Sequence, residues 1–144
     1  MVGESYYGEG DAVVELTARD FRKKRGEWYI QWPKNRPNGM VFPDGAGFVF
    51  VYATWCESCH SLRKWFETVG RQWENQFHMG AVNAMDLDGG NDALVAEWGL
   101  DGFPVFYAVE PSGKIKHLDA QLNEAYLYES MLEEVERVRS TRGE

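Results

Sequence analysis

Phe48-Val49-Phe50-Val51-Tyr52-Ala53-Thr54-Trp55-Cys56-Glu57-Ser58-Cys59-His60 runs from six apolar residues straight into a closely spaced cysteine pair. An unbroken apolar run of this kind suits a central strand buried on both faces. Beyond it, Leu62, Trp65, Phe66, Val69 and Trp73 recur at helical spacing, which predicts an amphipathic helix. Cys56 then falls at or just before the helix N-terminus, and Cys59 in its first turn.

That placement has chemical content. Disulfide exchange needs a thiolate nucleophile and a second thiol to resolve the mixed disulfide. Unpaired backbone N–H groups and the helix dipole favour negative charge at the first position. Cys56 is therefore the expected nucleophile and Cys59 the resolving thiol, with Glu57, Ser58 and His60 as tuning neighbours. Glu57 opposes charge on Cys56 by like-charge repulsion, an effect that water screens if the side chain is exposed. A Cys56–Cys59 bridge closes almost no loop, so it stabilises the fold little and points to chemistry instead.

Two rival readings use the same residues. A zinc site needs two further ligands, and His60, His78 and His117 supply no second ligand pair. Cys56 to His60 also fits C-x-x-C-H, the attachment motif of c-type haem. A strand running directly into the motif is an unusual setting for haem. We therefore expect no metal and no organic cofactor, only the redox-active Cys56–Cys59 disulfide.

Working outward, residues 1–11 are polar and Gly-rich and read as a flexible leader. Ala12 to Leu16 reads as a short strand. Thr17 and Asp20 resemble a capping box and predict a helix over about 18–25. Residues 26–46 mix Pro33, Pro37 and Pro43 with Trp28, Tyr29, Trp32 and Phe42, and read as a folded insertion loop. Residues 80–87 predict a second central strand, and Asn91 to Trp98 a short helix ended by Gly99. Pro104 to Val109 and Lys114 to Leu118, joined by Glu110-Pro111-Ser112-Gly113, predict an antiparallel hairpin. A last helix is expected over 122–138, with Tyr126, Met131, Leu132, Val135 and Val138 as its apolar face. This order, β-α-β-α-β-α-β-β-α, places residues 12–140 in one α/β domain, a mixed sheet with helices on both faces.

The chain has 144 residues, 44% of them hydrophobic, enough for one domain with its own core. A net charge of -8 argues against nucleic acid and anionic membrane surfaces as partners. No stretch reaches the roughly 20 apolar residues of a membrane span. The first residues show no basic or apolar signal segment, so the cytoplasm is the default expectation. Removal of a leader would leave an oxidising compartment open.

Val49 to Cys59 resembles the active-site strand and motif of thioredoxins and protein disulfide isomerases. Trp98-Gly99-Leu100-Asp101-Gly102-Phe103-Pro104-Val105 is similar to the segment around that family's cis-proline, and the 45-residue step from Cys59 to Pro104 is similar too. Val14 to Thr17, with Asp20-Phe21, is similar to the opening of many disulfide isomerase domains. The resemblance covers roughly residues 12–138 and implies a thioredoxin fold with Pro104 in cis. It also implies that Trp55 shapes the docking surface and that Phe103 and Pro104 lie beside the bound substrate chain. Two departures stand out. The family's buried acid, six residues before the first cysteine, is Phe50 here, and its partner lysine is replaced by Ala84 or Met85. Glu57 and Asp86 are the candidate substitutes. The helix kink proline is also missing, with Lys64 near its place.

The expected function is thiol-disulfide oxidoreductase, with protein disulfides or dithiols as substrates and a further partner that restores the redox state. The alternative is a thioredoxin-fold binding, adaptor or chaperone module, since fold does not fix function.

Overall fold

In the computed structural model, which describes residues 4–34 and 40–143, the apolar run becomes the middle of a five-stranded sheet. The strands are β1 (Val13–Leu16), β4 (Gly47–Tyr52), β5 (His78–Asn83), β6 (Val105–Val109) and β7 (Ile115–His117), in the order β1-β5-β4-β6-β7. β1, β5 and β4 run parallel, whereas β6 and β7 are antiparallel to their neighbours. Every residue of β4 is buried because both faces are covered. Phe48, Phe50 and Tyr52 point into one core, and Val49 and Val51 into the other.

The first core lies under α1 (Glu57–Gln72) and α3 (Glu124–Thr141). Leu62, Phe66, Val69 and Trp73 bury the predicted face of α1, with Trp65 partly buried beside them. Asn123 caps α3, its side chain accepting the Ala125 N–H. α3 buries Leu127, Met131, Val135 and Val138. Tyr126, expected on that face, is exposed, so the stripe begins one residue later. The second core lies under α2 (Asn91–Glu97) and a separate β-hairpin.

That hairpin corrects the expected helix over 18–25 and the reading of 26–46 as loop throughout. Residues 18–20 form a single 3-10 turn, with the Asp20 carboxylate accepting the Thr17 N–H at 2.9 Å. The chain then extends into β2 (Phe21–Lys24) and β3 (Glu27–Ile30). Arg25 and Gly26 both take positive φ, 52° and 81°, as a two-residue hairpin turn requires. The capping signal was real, but it closes one turn before Phe21 and Ile30 are drawn into the second core. The expected insertion also includes residues 35–39, which lie outside the described residues.

The expectation of a flexible leader does not hold for Tyr6 and Tyr7, which are buried in the first core. Residues 1–3 lie outside the described residues. Among the described residues, no helix is long and apolar enough to cross a membrane.

Candidate functional site: the Cys56–Cys59 pair

The end of β4 delivers the chain to a tight turn in which the Cys56 N–H donates to the Ala53 carbonyl at 3.0 Å. Cys56 is the N-cap of α1, with extended backbone (φ -89°, ψ 115°). Its sulfur accepts the Cys59 N–H at 3.2 Å, a donor that no carbonyl of the helix can use. On its other side the Cys56 thiol donates to the Phe103 carbonyl at 3.5 Å. The Phe103–Pro104 bond is cis. The two segments that the sequence singled out, 45 residues apart in the chain, thus meet at one sulfur.

Both cysteines are free thiols. Cys56 is 6% exposed and Cys59 fully buried. Burial pushes the Cys59 thiol up to about 12, helped by its hydrogen bond to Cys56. Trp55 is 62% exposed, and its ring lies edge-on to Phe103 at 6.0 Å. Glu57 and Ser58 are exposed on the first turn. His60 is exposed as a residue but places Nε2 2.8 Å from the Thr54 carbonyl oxygen, bracing the turn.

Neither candidate substitute for the missing acid faces the thiols from within. Glu57 points to solvent, and Asp86 accepts the Gly89 N–H in the loop after β5. Phe50 stacks on Phe106 at 4.9 Å and packs against Phe66. The partly buried carboxylate that sequence reading missed is Glu15. In the sheet register Glu15 pairs with Ala81 and Ala81 with Phe50, so Glu15 projects to the same face from the edge strand. Its Oε2 accepts the Tyr52 hydroxyl at 2.7 Å and the Tyr7 N–H at 3.1 Å. Burial lifts the Glu15 carboxyl from 4.5 to about 7, against the pull of those hydrogen bonds. Burial, then the charge of Glu15, raises Tyr52 well above the ordinary phenol range.

Above this network lies the N-terminal segment. The Tyr6 ring stacks on Tyr52 at 3.8 Å, and its N–H donates to the Tyr52 hydroxyl at 2.8 Å. Arg63, on α1, lies 4.8 Å over the Tyr6 ring and donates to its carbonyl. A cleft of about 220 Å³ opens here between Glu4, Tyr6, Thr54, His60 and Arg63. Among the described residues, no group of three or more His, Cys, Asp or Glu side chains is placed to hold a metal ion.

The family model described as Thioredoxin matches residues 41–133. Mouse protein disulfide-isomerase A6 is 26% identical over 98 residues, covering 68% of this chain and 18% of that protein. A mitochondrial thioredoxin domain-containing protein of Schizosaccharomyces pombe is 27% identical over 106 residues, covering 73% of this chain and 24% of that protein. The chain thus spans about a quarter or less of the length of these two curated relatives. Among solved structures, the J-Trx1 fragment of ERdj5 matches with a TM-score of 0.60 at 17% identity, over 90% of this chain and 52% of the fragment. Spinach chloroplast thioredoxin f, short form, matches with a TM-score of 0.56 at 17% identity, over 91% of this chain and 96% of that one. At such identities the structural matches establish the fold.

Proposed function

We propose that this chain, which belongs to the thioredoxin family, is a dithiol-disulfide oxidoreductase acting on protein substrates. The observation that carries the reading is the unequal setting of the two sulfurs. Cys56 caps the helix between a backbone N–H and the Phe103 carbonyl, and Cys59 lies one turn deeper with no exposure.

The reaction then has an order. Cys56, as thiolate, attacks one sulfur of a substrate disulfide, forming a mixed disulfide and expelling one substrate thiolate. Cys59 loses its proton and attacks the Cys56 sulfur. The Cys56–Cys59 disulfide forms, the second substrate thiolate leaves, and two electrons have passed to the substrate. Burial keeps Cys59 protonated until that moment, so it does not compete for the substrate. Run backwards, the same steps oxidise a substrate dithiol, and a second redox partner completes the cycle in either direction. The exposed Trp55 ring and the backbone of Phe103 and Pro104 form the docking edge, with main-chain pairing supplying affinity.

Cys59→Ser tests this assignment. It should trap substrate on Cys56 as a stable mixed disulfide visible by mass spectrometry, whereas Cys56→Ser should trap nothing. Trapping through Cys59 alone would reverse the roles. The exposed Trp55 also suits a docking module that does no redox chemistry. Such a module would keep its biological function in the Cys56→Ser, Cys59→Ser double variant, which an oxidoreductase would lose.

A further inference from the structure

Four consecutive cations, Arg22-Lys23-Lys24-Arg25, stand exposed on β2 and its turn, in a chain whose net charge is -8. Among the described residues, none of the four forms an ion pair with a carboxylate. Lys24 instead lies 5.7 Å from the centre of the Tyr29 ring. An unneutralised cluster of this kind repels itself and attracts anions.

The hairpin that carries the cluster does not close onto the sheet. β3 joins β7 through one bridge, Tyr29 to Lys114, and through the Ile30 N–H, which donates to the Gly113 carbonyl at 2.9 Å. Beyond that point a notch of about 410 Å³ lies between hairpin and sheet, lined by Lys23, Trp28, Trp98, Tyr107, Lys116 and His117. β7 is the edge of the five-stranded sheet. The Lys114 carbonyl accepts the Glu110 N–H, and the Leu118 N–H donates to the Phe106 carbonyl, both toward β6. Alternation along the strand then turns the N–H and C=O of His117 away from β6, on the side of the notch. Phe21 packs into the second core, so Lys23 shares that side, while Arg22 and Lys24 face the other. A chain lying in the notch therefore has unpaired cations toward both of its faces.

We propose that this notch binds an acidic, extended segment of a partner protein. The segment pairs its main chain with the open edge of β7 and sets its carboxylates against Lys23 on one side and Arg22 and Lys24 on the other. None of these residues belongs to the Cys56–Cys59 centre, and the site does not depend on the oxidoreductase reading. A peptide fits better than a nucleic acid or a lipid surface. The edge offers a main-chain donor and acceptor, which a peptide strand satisfies and a row of phosphates does not. Glu27 and Glu97 also line the notch, and with the net charge of -8 they oppose a continuous polyanion, whereas a peptide can place its carboxylates singly.

The test uses the full chain and a fluorescein-labelled peptide alternating glutamate with valine, with binding read by anisotropy across a salt series. Affinity should fall as salt rises. Lys23→Glu should weaken binding on the order of tenfold, and the Arg22→Glu, Lys24→Glu pair by a similar factor. Lys64→Glu makes the same charge change at an exposed position of α1 and should leave affinity nearly unchanged. His117→Pro removes the outward N–H at an edge position, where proline is tolerated, and should also weaken binding. If His117→Pro fails to fold, the charge-reversal variants alone decide. A wild type that does not bind the peptide overturns the proposal, as does equal weakening by Lys23→Glu and Lys64→Glu, or a folded His117→Pro with unchanged affinity. Tighter binding of a single-stranded oligonucleotide or of phosphatidylserine vesicles than of the peptide overturns it too.

Discussion

Glu15→Gln should make the protein more stable at pH 8 than the wild type while leaving it nearly unchanged at pH 4. Among the described residues, Glu15 is the carboxyl that burial carries from 4.5 to about 7. At about 1.4 kcal/mol per pH unit, ionising it in the folded state costs about 3 kcal/mol more than in the unfolded chain. Water reaches part of the side chain, so about 1.5–3 kcal/mol is the expected range. The sign follows from the direction of the shift. A raised folded-state value gives stability that is fully present below about 4.5 and is lost as pH rises through about 7. Glutamine cannot ionise and keeps an oxygen where Oε2 now accepts both the Tyr52 hydroxyl and the Tyr7 N–H. The stability difference, variant minus wild type, should therefore be near zero in acid, climb through neutrality and level off above it. Urea unfolding in matched buffers measures it, and all other titrating groups cancel in the difference. A flat difference, or a variant weaker at pH 8, would refute the assignment of Glu15 as a partly buried, proton-holding carboxyl.

Arg142→Ala should cost about 2 kcal/mol, because Asp44 then keeps a half-buried charge without its two-pronged partner at 2.7 and 2.9 Å. Arg142 holds the Asp44 carboxyl below its ordinary 3.8, so the penalty should shrink as pH falls toward and below that value, which the same unfolding series would show. Gly47→Ala should cost more than about 3 kcal/mol or abolish soluble folding, since its Cβ would run into the His78 carbonyl oxygen in the paired strand. An unchanged urea midpoint for Gly47→Ala would mean that β4 and β5 have room to separate there.

How much of this was legible in the chain depended on whether one element carried its own signal. The run from Phe48 to Ala53 and the helical spacing from Leu62 to Trp73 are local patterns, and both became the elements they describe. The cysteine pair could be placed because strand, turn and helix start constrain each other within a few residues, whereas Phe103-Pro104, 45 residues on, was placed only by its resemblance to a family motif. The β2–β3 hairpin was hidden because its turn uses Arg25, a residue that seldom takes positive φ. Its Gly26, flanked by extended-favouring Trp28 and Tyr29, was the signal left unused. Glu15 carried no signal of its own within the short strand read over Ala12 to Leu16. What covers it is Tyr6 and Tyr7, which belong to a leader whose glycines read as mobile. Two adjacent tyrosines in so polar a stretch were the available clue, because large rings rarely stay unburied when a core is near.

The same packing decides where this molecule can carry added sequence. Glu4 lines the cleft with Thr54 and His60, one bend of chain from Cys56. Arg142, near the other terminus, is tied to Asp44 just before β4 begins, while the cysteines follow where β4 ends. Six strand residues at about 3.3 Å each separate the two attachment points by roughly 20 Å along the sheet. An affinity tag or partner domain joined ahead of residue 4 therefore leaves from the doorstep of the reactive sulfurs and crowds incoming substrate, whereas one joined after Gly143 leaves from the far end and keeps that approach open.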